Sequence, residues 1–192
     1  LELTRRIGFE NARLKAGSPW QVTIGRDLEG LTLGILGLGK LGQRSATVGK
    51  AFGMKTIAWS QNLTAEKAKA AGAELVSKED LFRNADVVTI HLVLSDRSRG
   101  LVGAKELGLM KKTAYLINTS RGPIVDEPAM LGALSATRIA GAGLHVFPVE
   151  PLPAGHALTK LSNVVITPHC AGITPEALEA GLRMAVENAL RD

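Results

Sequence analysis

Cysteine is nearly absent from the 192 residues: Cys170 stands alone, so no intramolecular disulfide can form and no cysteine cluster can hold a metal. No metal site is expected, and a reducing, cytoplasmic setting is the default. No apolar run approaches the ~20 residues of a membrane span, and no charged-then-apolar leader opens the chain. We therefore expect neither a membrane partner nor secretion. Long basic runs are missing too: the 23 Lys and Arg and 18 Asp and Glu give a formal charge of +5, spread along the chain rather than gathered into the tracts of nucleic-acid tails. No nucleic-acid partner is expected. Internal repeats and low-complexity tracts are lacking.

What remains is a sequence of 45% hydrophobic residues, enough for one substantial core but short for two complete domains. Residues 1–192 are read as a single domain. From Leu31 onward, short apolar runs alternate with segments of helical periodicity, the pattern of βαβ units that build a doubly wound parallel sheet. Strands are expected at Thr32–Leu36, Lys55–Trp59, Val87–His91, Ala114–Asn118, Ile139–Leu144 and Val164–Thr167. Helices are expected at Lys40–Phe52, Thr64–Ala71, Ser77–Arg83, Ala104–Met110 and Glu127–Ala136. At the start, Leu1–Ala16 reads as one helix already in progress, so we expect the natural N-terminus to lie upstream. An extended arm follows to Arg26. At the end, Thr174-Pro175-Glu176 reads as an N-cap, a proline at the first helical position and an acid in the first turn, opening a helix that runs toward Asp192.

Gly37-Leu38-Gly39-Lys40-Leu41-Gly42 fits G-x-G-x-x-G and lies between an apolar strand and a helical segment, which is the context that makes the pattern informative. Gly37 permits the tight turn, Gly39 leaves room for a pyrophosphate against the backbone, and Gly42 lets the helix pack on the sheet. Unpaired amides and the positive end of the helix dipole then face the phosphates. This predicts a Rossmann-type dinucleotide site that includes Lys40 and Leu41. About 20 positions later, where a carboxylate would bind the ribose of NAD, stands Ser60. The neighbouring Gln61 and Asn62 are neutral, so NAD and NADP both stay open. NAD is slightly favoured because no cation adjoins, although Lys67 or Arg44 could reach a 2′-phosphate in the fold.

Three polar stretches fall just beyond the expected carboxyl ends of late strands, where ligands of parallel sheets bind: Asn118-Thr119-Ser120-Arg121-Gly122, Val146-Phe147-Pro148-Val149-Glu150-Pro151 and Thr167-Pro168-His169. With the glycine loop, in this order and spacing, they resemble the D-isomer-specific 2-hydroxyacid dehydrogenases over essentially the whole chain. The resemblance implies hydride transfer between NAD(P) and a D-2-hydroxy acid or its 2-oxo acid, the hydride being the nicotinamide's. It implies that Arg121 anchors the substrate carboxylate through a paired guanidinium contact. His169 would act as general acid/base, and Glu150 would fix its tautomer and stabilise the imidazolium. Leu92, Val93, Thr119, Ser120, His145 and Ala171 would line the cofactor, with the His91 region along its adenine side. His156 is expected to be exposed in its loop, and Cys170 to pack without chemistry.

The sequence departs from the family pattern at His145, where an aspartate normally accepts from the nicotinamide carboxamide. A neutral imidazole could accept in its place, and a protonated one could not. The family's second, substrate-binding domain is also missing from these residues, and residues 1–26 and 174–192 are expected to be the connectors toward it. A homodimer paired through this domain is implied as well. A rival reading, also from relatives, is a dinucleotide-sensing, corepressor-like interaction domain without significant turnover.

Overall fold

The computed structural model describes residues 1–190. Among these residues seven strands form one sheet: β1 (Thr32–Leu36), β2 (Lys55–Trp59), β3 (Glu74–Leu75), β4 (Val87–Ile90), β5 (Tyr115–Asn118), β6 (Gly141–Leu144) and β7 (Val164–Ile166). Their order is β3-β2-β1-β4-β5-β6-β7 and every pairing is parallel. The chain leaves β1 toward one edge and returns to β4 on its other side, so the crevice at the carboxyl ends of β1 and β4 is the switch point where doubly wound sheets bind ligands.

The helices between strands are α3 (Lys40–Ala51), α4 (Ala65–Ala70), α5 (Lys78–Asn84), α6 (Ala104–Leu109) and α7 (Glu127–Ser135). Their starts follow local chemistry: the side chains of Thr64, Ser77 and Asp126 accept from the amides of Lys67, Asp80 and Ala129. Each satisfies a donor that the first helical turn leaves unpaired. Burial divides into two clusters. The larger joins Leu81 and Phe82 of α5 and Leu134 of α7 to Val88, Ile90 and Leu116 of the sheet, while the smaller packs Ala46 of α3 and Ala68 of α4 on Leu33, Ile35 and Ala58. Each fully buried Leu, Ile or Phe contributes roughly 1.5–3 kcal/mol before its ordering cost.

Three sequence expectations need correction. The two-residue edge strand β3 was not expected; its Glu74-Leu75 is too short to show alternation and is fixed only by pairing with Ile57 and Ala58. The opening helix is two helices, α1 (Glu2–Arg5) and α2 (Ile7–Lys15), broken at Arg6 with φ of 49°. The Glu2 carboxylate causes the break to hold: it accepts from the Gly8 amide at 2.9 and 3.0 Å, capping the second helix. The third correction is at the margins, where strands at Val87, Ala114, Ile139 and Val164 run one or two residues shorter than the apolar pattern.

The arm after α2 has no regular structure and folds back, with the amides of Val22 and Thr23 donating to Glu10. The closing helix α8 (Pro175–Ala189) is capped by Thr174, which accepts from the Ala177 amide. All its side chains are exposed. The last two positions of the expected run to Asp192 lie outside the described residues. On the α3 side of the sheet, a groove of about 750 Å³ separates α3 from α1, with Val87, Thr89, Tyr115 and Ile117 on its floor. No helix among the described residues is long and apolar enough to cross a membrane.

Candidate active site

The glycine loop leaves β1 and enters α3 at the switch point. Gly37 has φ of 102°, and a methyl group on it would meet the His91 carbonyl at 2.9 Å, so β1 and β4 approach there as only glycine allows. Gly42 is buried against the loop itself, its missing Cβ falling 2.1 Å from the Gly37 oxygen. Gly39 is different: a Cβ there would meet nothing within 4 Å. It caps α3, whose first internal bond is Gln43 N–H to the Gly39 carbonyl. The amides of Lys40, Leu41 and Gly42 therefore lack acceptors within the helix, at its positive end. Open space over Gly39 facing unpaired amides fits a dinucleotide's pyrophosphate.

Beside this loop lies a cleft of about 300 Å³ that gathers Leu41, Leu92, Val93, Thr119, Ser120 and Arg121 on one wall system. Its walls come from the ends of β4 and β5. The Ser120 hydroxyl donates to the Leu92 carbonyl. Asn118 braces the second loop from within, accepting from the Ser120 amide at 3.1 Å and donating to the Arg121 carbonyl at 3.0 Å. Arg121 itself is exposed, with one guanidinium N–H on the Ser120 carbonyl at 2.7 Å and its other donors free for an anion. His91 also borders the cleft; its Nε2 sits 3.0 Å from both the Ser45 and Thr89 hydroxyls, and burial pushes its pKa down. Arg44 borders the apolar groove instead, while Ser60 directly follows β2 and, among the described residues, has no charged side chain bonded to it.

Glu150 and His169 meet across loops 19 residues apart. One Glu150 oxygen accepts from the Phe147 amide at 2.9 Å and the other faces His169 Nδ1 at 2.8 Å. The Phe147 amide first, then the His169 contact, holds the Glu150 pKa below the usual carboxylate value. An ionised Glu150 requires the proton on His169 Nδ1, which leaves Nε2 for a reacting group. Gly122 joins this pair to the Arg121 loop: its missing Cβ would fall 2.0 Å from the Phe147 carbonyl carbon. The two loops thus touch backbone to backbone, so Arg121 and the Glu150–His169 pair stand on one rim.

His145, expected to line the cofactor, is hydrogen-bonded on both ring nitrogens within the protein. The ring is buried, Nε2 accepts from the Ala171 amide at 3.2 Å and Nδ1 lies 2.6 Å from the Thr167 hydroxyl. Neither nitrogen keeps a lone pair for a carboxamide. Two smaller expectations are also corrected: Cys170 is exposed, and His156 is not, since it faces Glu127 at 3.3 Å and caps a short 3-10 turn. The residues missed by sequence reasoning are Asn118 and Thr167, which hold the functional loops rather than face the cleft. Both lie inside the quoted motifs, which was their only signal.

A glyoxylate reductase of Aeropyrum pernix is 49% identical over 176 residues, covering 92% of this chain and 52% of that protein. The structure of a glyoxylate reductase from Paecilomyes thermophila superposes with a TM-score of 0.88 at 33% identity, covering 99% of this chain and 57% of the other. An NAD-complexed D-isomer specific 2-hydroxyacid dehydrogenase from Lactobacillus delbrueckii ssp. bulgaricus gives a TM-score of 0.84 at 31% identity, covering 98% and 61%. The chain therefore spans little more than half the length of these relatives. Residues 1–171 match the family described as D-isomer specific 2-hydroxyacid dehydrogenase, NAD binding domain, and the chain belongs to that family.

Proposed function

We propose that the protein interconverts a 2-oxo acid and a D-2-hydroxy acid with a nicotinamide dinucleotide, and that this chain carries the dinucleotide site, the carboxylate anchor and the acid/base. The observation that carries the reading is the Glu150–His169 contact at 2.8 Å standing on the same rim as Arg121 and joined to it through Gly122. The Lys40, Leu41 and Gly42 amides would hold the pyrophosphate. When bound, the dinucleotide supplies or receives the hydride. Arg121 would orient the substrate carboxylate through paired N–H donors. His169 Nε2 would give a proton to the ketone oxygen on reduction and take it from the hydroxyl on oxidation, while the Glu150 carboxylate stabilises the positive ring. NAD is favoured over NADP because Ser60 and its neighbours offer no cation to a 2′-phosphate.

Glyoxylate is the first substrate to test, since relatives bear that name. Residues 1–26 and 174–192 would connect this domain to a further one that selects the substrate, and pairing through this domain would make a homodimer. The test is NADH oxidation by the complete gene product against a panel of 2-oxo acids. Turnover that falls by about 10²–10⁴-fold in His169→Ala supports the enzyme. NADH binding with no turnover on any of them favours the dinucleotide-sensing reading instead.

A further inference from the structure

His145 stands at the end of β6, and its contacts enclose His169 from three sides. The His169 amide donates to the His145 carbonyl at 3.1 Å and to the Thr167 carbonyl at 3.0 Å. Before His169 in the chain, the Thr167 hydroxyl meets His145 Nδ1; after it, the Ala171 amide donates to His145 Nε2. The ring itself lies edge-on to the His169 ring, with centroids 5.3 Å apart and planes at 64°. An amide can only donate, so the Nε2 lone pair is occupied and the ring proton sits on Nδ1, donating to Thr167.

This enclosure has something to hold. His169 has φ of 49°, the left-handed region that a non-glycine residue avoids and that persists only when its surroundings enforce it. Glu150 fixes the His169 ring from one side, yet nothing in that contact fixes the backbone that carries the ring. We propose that His145 is a positioning residue for His169: it ties Thr167 to Ala171 across the turn and so sets where the acid/base points, and it does not bind the dinucleotide carboxamide. The proposal rests on the reading of His169 as the acid/base.

Two measurements test it. On this chain, long-range ¹H–¹⁵N NMR of the imidazoles should show His145 locked in the Nδ1–H tautomer, with His169 also Nδ1–H. In His145→Phe, which keeps a ring and removes both hydrogen bonds, the His169 ring should drift from Glu150, and its nitrogen signals should shift and average between tautomers as that contact loosens. On the complete gene product, His145→Phe should lower kcat by about 10–100-fold, the size of effect that a misplacement near 1 Å produces, with the NADH Kd within about twofold of the parent. Thr167→Val should reproduce part of that loss and Thr167→Ser should not. An Nε2–H tautomer at His145, or a tenfold weaker NADH affinity with kcat retained, overturns the proposal. Absence of turnover in the parent protein would instead sink the assigned reaction, and the tautomer and the response of His169 in His145→Phe would still decide whether His145 holds the turn.

Discussion

Gly39 and Gly42 lie three residues apart in one loop, yet an added methyl group meets open space at the first and the Gly37 oxygen at 2.1 Å at the second. The first substitution should therefore act on the ligand and the second on the fold. We expect Gly39→Ala to leave the melting temperature within a few degrees and to weaken NADH binding at least tenfold, because its Cβ would occupy the side from which the pyrophosphate approaches. Gly42→Ala should lose about 1–3 kcal/mol by overpacking. Thermal unfolding beside NADH titration checks both, and a Gly39→Ala variant that binds normally would contradict the assigned phosphate site. Glu150 belongs to the same scale. In Glu150→Gln the neutral amide can still meet His169 but cannot stabilise an imidazolium, so 2-oxo acid reduction should slow by about 10–100-fold while NADH binding persists. The residue types of this site were legible because short motifs name them. The role of Thr167 was not, because it depends on a contact with His145, 22 positions away.

Between elements, Asp86 fastens the end of α5 to the sheet. Its carboxylate accepts from the Thr32 amide at 2.9 Å, from Lys111 at 3.1 Å and from Arg26 at 3.2 Å. Burial alone would raise its pKa, but the Thr32 amide, Lys111 and Arg26 outweigh it and hold the carboxyl below its ordinary value of 3.8. Because the folded pKa is the lower one, the stability this group contributes is complete above the unfolded pKa and is lost as pH falls through the folded one. Asp86→Asn should thus cost about 2 kcal/mol at neutral pH and flatten the acid dependence below pH 4, as read by urea unfolding across pH. An unchanged acid limb would refute the assignment. Most helix boundaries were legible because periodicity and capping are local. The break at Arg6 was not, since a run of helix-compatible residues gives no sign that Glu2 will turn to cap Gly8.

Across the whole molecule, large apolar groups remain at the surface. Trp20 is 76% exposed and Ile24 99%, and Leu178, Leu182 and Val186 recur at four-residue steps along α8 with more than half their surface in water. A stripe of exposed apolar side chains along one helix face, as on α8, commonly marks a surface that another protein surface covers. Light scattering at micromolar concentration should report a dimer, and monomer alone would overturn the proposed pairing. Alternating apolar strands and amphipathic helices, with the glycine loop between the first pair, determined the doubly wound fold from sequence alone, because each of these signals acts within a few residues and needs no distant partner. Only the tertiary structure decided that the Arg121 and Glu150 loops touch through Gly122, that β3 exists, and that His145 faces inward to the His169 turn. Those depend on which segments the sheet order brings side by side, and contacts between residues far apart in the chain leave no periodicity to read.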